Sequence, residues 1–188
     1  MRALFDTDHR ARVFNALLTE CGWDESSKTE TLVARMIDTY RAHSPSITLC
    51  RDADAVLTRL RGQYKLGLIT DGPPAQQWAK IDALNLRARL KKIIVTGDLA
   101  PGQSKPSPAA FELMADRLGA LHNECVYVAD NPAKDFVAPN ALGWTTIQID
   151  RQGGIYRDEQ PAPGGRPDHQ INSLEDLHSA LRNVGGGQ

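Results

Sequence analysis

Asp130 and Asp135 stand at the end of the stretch Cys125-Val126-Tyr127-Val128-Ala129-Asp130-Asn131-Pro132-Ala133-Lys134-Asp135. An apolar run delivers the first carboxylate to its own carboxyl end. Open α/β sheets place ligands there, outside the carboxyl ends of the strands. Two carboxylates in that position can hold a hard cation such as Mg²⁺, which prefers oxygen ligands and phosphate oxygens. The same residues also read as a strand followed by a solvated turn, with Asp135 near a helix start.

Two further segments carry polar groups suited to an oxyanion. Leu66-Gly67-Leu68-Ile69 is a short apolar run followed by Thr70-Asp71-Gly72. A hydroxyl and the backbone N–H groups of a glycine turn can receive a phosphate. An ordinary strand-to-turn junction uses the same residue types. Lys105-Pro106-Ser107-Pro108 precedes the amphipathic stretch Phe111 to Leu118. Prolines rigidify the approach to a helix start, so Lys105 sits on a stiff loop where it could neutralise a phosphoryl group. The plainer alternative is a solvated surface lysine.

These groups must be positioned by elements that the periodicity reveals. Val13, Phe14, Leu17, Leu18 and Cys21 share one helical face, and Gly22 suits its end. Leu32, Val33, Met36, Ile37 and Tyr40 form a second face, stopped by Ser44-Pro45. A helix over Asp52 to Arg61 leads into the strand Leu66 to Ile69. Helix and strand then alternate: a helix over Ala75 to Leu84, a strand Ile93 to Val95, a helix Ala109 to Leu118, then strands Val126 to Val128 and Thr145 to Ile149. Such alternation predicts an α/β fold, a Rossmann-like parallel sheet with helices on both faces. Gln152 to Pro167 is rich in Gly and Pro and reads as a surface loop. Ile171 to Leu181 reads as a final helix with Ser173 as N-cap.

Thr70 after a strand, Lys105 before a helix, and Asp130 with Asp135 after another strand resemble motifs II, III and IV of the haloacid dehalogenase superfamily, in the right order and spacing. The resemblance runs from about Val13 to Leu181. Ala129 departs from it, standing where the family usually has Gly. The family's first motif, Asp-x-Asp after an apolar strand, has one counterpart, Asp6 and Asp8 in Met1-Arg2-Ala3-Leu4-Phe5-Asp6-Thr7-Asp8-His9-Arg10. Arg10 occupies a position where the family has Thr or Val. Alternatively, Leu4 and Phe5 begin a cap helix, and the chain is then expected to be truncated at its N-terminus and to lack the opening strand.

The resemblance implies a helical cap over 9–45, a hydrolase core over 46–183 and a disordered tail over 184–188. It implies a phosphatase-type hydrolase acting on a small phosphate monoester through an aspartyl-phosphate. Thr70, Asp71, Gly72 and Lys105 would bind the phosphate, and Thr70, Lys105 and Asp130 would serve catalysis. Asp130 and Asp135 would hold Mg²⁺. The nucleophile would be Asp6 or Asp8 only if that segment is the first motif. A reading of another class keeps the fold and drops the chemistry: a module that binds a phosphorylated ligand or a protein.

Composition narrows the partners. In 188 residues, 41% are hydrophobic and 24% charged, as in ordinary soluble domains. A net charge of −1 offers no electrostatic attraction to nucleic acid or an anionic membrane. Cys21, Cys50 and Cys125 are odd in number and widely spaced, which suits reduced thiols in a cytoplasmic protein. No apolar run reaches membrane-spanning length. The partner expected is a small phosphorylated substrate.

Overall fold

The computed structural model describes residues 12–24 and 26–185. The chain divides into two compact units, Met1–Pro45 and Ser46–Gln188. In the first, helix α1 (Val13–Glu20) buries Val13 and Leu18, and helix α2 (Ser27–Ala42) buries Thr29 and Val33. The two helices pack on each other. Ser26 caps α2 by accepting the Thr29 N–H, and the Thr29 hydroxyl donates to the Asp24 carbonyl at 2.6 Å. Together they satisfy groups that a helix start leaves unpaired.

The second unit alternates helices and parallel strands. Its elements are α3 (Arg51–Leu60), β1 (Gly67–Thr70), α4 (Pro74–Ala83), β2 (Lys92–Val95), α5 (Ala109–Leu118), β3 (Val126–Ala129), α6 (Val137–Ala141), β4 (Thr145–Ile149), β5 (His169–Ile171) and α7 (Leu177–Gly185). All pairings are parallel. The strands form two sheets, β1-β2 and β3-β4-β5, rather than one continuous ladder. Among the described residues no strand pairs with the free edges of β1 and β3.

Side-chain alternation explains why both faces of these strands are apolar. Ile69 and Ile94, paired in register, belong to one core cluster with Phe111, Met114, Cys125 and Trp144. Their neighbours Leu68 and Ile93 pack on the other face against Val95, Ile81 and Leu86. On the second sheet, Val126, Val128, Ile147 and Ile149 meet Val56, Leu60, Ile171 and Leu177. Burial on both faces is the usual condition of parallel sheets covered by helices. Helix α5 ends at Gly119, held in the left-handed region at φ 57°, while Ala120 N–H closes onto the Ala115 carbonyl.

The carboxyl-terminal part differs from the periodicity-based expectation. Ile171 ends β5, in register with Ile149, and does not start a helix. Its backbone carbonyl accepts the Asp150 N–H and its side chain is buried. Ser173 still caps, accepting the Glu175 N–H, but it opens a 3-10 turn (Leu174–Asp176) ahead of α7. A three-residue strand is too short to show a period of its own, so the helical pattern beyond it dominated. Among the described residues no helix is long and apolar enough to cross a membrane.

Candidate active site

The turn after β1 is built around Gly72, whose φ of 137° excludes other residues. A Cβ there would meet the Gln77 side chain at 2.5 Å. Gln77 lies in the first turns of α4, which starts with Pro74 at its opening positions. Its amide oxygen accepts the Thr70 hydroxyl at 2.9 Å. Thr70 is therefore oriented by the helix that follows it.

Asp71, next in sequence, connects that turn to the Lys105 loop. Its Oδ1 accepts the Thr96 hydroxyl at 2.8 Å and the Lys105 backbone N–H at 3.3 Å. Its Oδ2 accepts the Lys134 ammonium at 3.1 Å. Burial pushes the Asp71 carboxyl up, but the Thr96 hydroxyl, the Lys105 charge and the Lys134 ammonium outweigh it, so its pKa lies below the usual 3.8.

Lys105 itself is buried. Its Nζ stands 2.7 Å from Asp135 Oδ1, with both side chains less than a tenth exposed. The pair lacks hydrogen-bond geometry, which leaves Asp135 Oδ1 without a hydrogen bond. The same ammonium donates to the Tyr127 hydroxyl at 3.2 Å. Burial, followed by the Asp135, Asp71 and Asp130 carboxylates, drives the Tyr127 pKa well above its usual value. The phenol thus stays protonated and serves Lys105 as an acceptor.

The loop after β3 supplies the remaining groups. Asp135 Oδ2 accepts the Asn131 N–H at 3.2 Å, and Asn131 Oδ1 accepts the Ala133 N–H at 3.0 Å. This self-bonded turn fixes Lys134 and Asp135 relative to Asp130. Asp130 is exposed at the rim. Partial loss of hydration raises its pKa first, the Asp135 carboxylate adds to that, and Lys105 and Lys134 counteract only in part. A carboxylate disfavoured in this way is a good ligand for an added cation. No group of three or more His, Cys, Asp and Glu suited to a metal occurs among the described residues. The donor set still fits Mg²⁺, which commonly takes one or two carboxylates and completes its shell with water and phosphate.

Three segments distant in sequence therefore meet: Asp71, Lys105 and the turn that carries Asp130, Lys134 and Asp135. Asp71, rather than Thr70, is the hydrogen-bonded link between the β1 turn and Lys105. Thr96, Gln77, Tyr127 and Lys134 were not singled out by the sequence. Lys134 alone had a local signal, as the cation directly before Asp135 in the Asn-Pro-Ala-Lys-Asp turn. Asp6 and Asp8 lie outside the described residues.

The chain as a whole has relatives among known proteins. The family model for haloacid dehalogenase-like hydrolases matches residues 10–143. Glyceraldehyde 3-phosphate phosphatase of Methanopyrus kandleri is 31% identical over 92% of this chain and 72% of its own length. N-acylneuraminate-9-phosphatase of Rattus norvegicus is 30% identical over 73% of the chain and 54% of its own length. The chain thus spans between half and three-quarters of the length of these relatives. Among solved structures, a phosphatase of this superfamily from Thermococcus onnurineus superposes with a TM-score of 0.60 at 30% identity, covering 71% of this chain and 58% of that one. With the family model matching well over half of the residues, the chain belongs to the haloacid dehalogenase-like hydrolases.

Proposed function

We propose that the protein is a Mg²⁺-dependent phosphatase acting on a small phosphate monoester through an aspartyl-phosphate. The observation that carries this reading is the buried Lys105–Asp135 pair at 2.7 Å, beside the exposed Asp130. Desolvation of a buried ammonium–carboxylate pair can exceed the pair's own attraction, so stability alone accounts poorly for it and a binding role accounts for it better. The curated relatives named above are phosphatases, which supports the same substrate class.

In this reading the chain's own groups bind and neutralise. The Lys105 ammonium faces a phosphoryl oxygen and remains anchored by Asp135. The Thr70 hydroxyl, rotating away from Gln77, donates to a second oxygen, and the N–H groups of the Asp71-Gly72 turn add to it. Asp130 would hold Mg²⁺, with Asp135 steadying that site through the Asn131 turn. When bound, the metal supplies charge neutralisation to the phosphoryl group. Phosphoryl transfer depends mainly on such positioning and neutralisation around an in-line nucleophile. None of Thr70, Lys105, Asp130 and Asp135 is that nucleophile; Asp6 or Asp8 would take the role only if the amino-terminal segment is the family's first motif.

Hydrolysis of p-nitrophenyl phosphate with and without Mg²⁺ tests the proposal. Lys105→Met is expected to lower turnover by about a hundredfold or more, as the loss of a charge-stabilising donor does. If the amino-terminal segment is the first motif, Asp6→Asn abolishes turnover and Asp8→Asn reduces it. Phosphate binding by the parent chain without any Mg²⁺-dependent turnover would instead favour the non-catalytic binding module. Activity indifferent to Asp6→Asn would remove that residue from the nucleophile's role.

A further inference from the structure

A cavity of about 290 Å³ opens beside Asp130, at the carboxyl ends of β3 and β4. Asp130, Asp150, Arg151, Tyr156 and Arg157 line it, with Val128 and Ile149 as apolar wall. Its size lies at the small end of ligand pockets, enough for a short-chain ester and too little for a nucleotide.

The two arginines in this wall are not equivalent. Arg151 is committed: it stands 2.6 Å from Asp52 Oδ2. That same oxygen accepts the Leu174 N–H at 3.1 Å, so the pair ties α3 to the turn before α7. Arg157 is held only by a long ion pair. Its Nε lies 3.7 Å from Asp150 Oδ1, beyond hydrogen-bond reach, and its side chain is half exposed. Asp150 already receives the Gln170 amide through Oδ2 at 3.0 Å, while its Oδ1 is buried without a hydrogen bond. The result is a guanidinium lining the cavity through a long ion pair, its donor fork making no hydrogen bond among the described residues.

We propose that Arg157 recognises a carboxylate carried by the phosphate monoester, in the same cavity that Asp130 lines. This rests on the phosphatase reading of the adjoining site. A planar guanidinium meets a carboxylate with two parallel N–H···O bonds, a match that neither a hydroxyl nor an amine can make. A second phosphate group fits less well, because its double charge would face Asp130 and Asp150 at close range. Asp150 holds Arg157 loosely and stays in place when the substrate carboxylate arrives. Arg157 thereby becomes a specificity-determining residue on a loop that carries none of the phosphate-binding groups.

Calorimetric titration in Mg²⁺-containing buffer tests this, with 3-phosphoglycerate, glycerol 3-phosphate and inorganic phosphate as probes. The parent chain is expected to bind 3-phosphoglycerate about tenfold more tightly than glycerol 3-phosphate, the scale of one charge-assisted hydrogen bond. In Arg157→Gln that ratio should fall to about one. A thermal melt checks that the variant folds, which the half-exposed position favours. Equal affinities in the parent chain, an unchanged ratio in the variant, or no binding of 3-phosphoglycerate overturns the proposal. If inorganic phosphate and glycerol 3-phosphate fail to bind while 3-phosphoglycerate still binds through Arg157, the carboxylate site stands and the phosphatase reading fails.

Discussion

Asp71 and Asp130 flank the same lysines but are shifted in opposite directions, and the difference has a physical cause. Asp71 accepts one hydroxyl, one backbone N–H and one ammonium, which more than repay its burial. Asp130 loses hydration and has the Asp135 carboxylate as neighbour, which its own backbone N–H and the two lysines offset only in part. The sign of each effect on stability follows by linkage. Asp71, with its folded pKa depressed, contributes stability above its usual 3.8, and that contribution is lost as pH falls through the folded value. Asp130, with its folded pKa raised, favours the fold below its usual 3.8 and loses that contribution as pH rises through the folded value. Asp130→Asn is therefore expected to stabilise the metal-free protein at neutral pH and to have little effect once the medium is acidic enough to protonate the parent's carboxyl. Denaturant melts at neutral and acidic pH check this. A loss of stability at neutral pH would show that the Asp130 carboxylate makes a favourable contact absent from the present arrangement.

At the scale of elements, α5 is the member that serves both sheets. It packs on β1 and β2. From the same helix, fully buried Phe111 meets the Tyr127 ring of β3 edge-on at 4.9 Å and the Trp144 ring, just before β4, at 5.6 Å. Tyr127 in turn receives the Lys105 ammonium, so the packing of Phe111 bears on the position of the site lysine. Phe111→Ala is expected to cost about 3–5 kcal/mol, the usual range for removing a fully buried aromatic ring. Urea unfolding measures the cost. A value below about 1.5 kcal/mol, typical of volume-conserving core swaps, would mean that the two sheets are coupled by some other contact.

For the molecule as a whole, the strand edges and the carboxylates at their ends decide how cohesive this end of the sheets is. Among the described residues β1 and β3 each keep a free edge, which exposes N–H and C=O groups able to pair with another strand. A cation bridging the Asp130 and Asp135 region would add cohesion at that end of the strands. Mg²⁺ is expected to stabilise the protein by about 2.7 kcal/mol at a hundredfold excess over its dissociation constant, by mass action alone. Thermal melts across a Mg²⁺ series read this directly, whether or not the chain turns over substrate. No shift at millimolar Mg²⁺ would count against a metal-binding role for Asp130.

The α/β alternation and the places of Thr70, Lys105, Asp130 and Asp135 were legible in the sequence. Strand-to-turn junctions are local events, written by apolar runs of a few residues and the Gly, Pro and Asp that stop them. The family resemblance could be read for the same reason, since its motifs are short and sit at those junctions. The Tyr127 and Thr96 contacts were not legible, because each joins residues more than seven positions apart in sequence or on another element. Strand β5 was hidden because its pairing with β4 crosses a long Gly- and Pro-rich loop. Local sequence sets which residues end a strand; only the folded chain brings a buried lysine within 2.7 Å of a carboxylate some thirty residues away, because that proximity depends on helices and sheets packing in three dimensions.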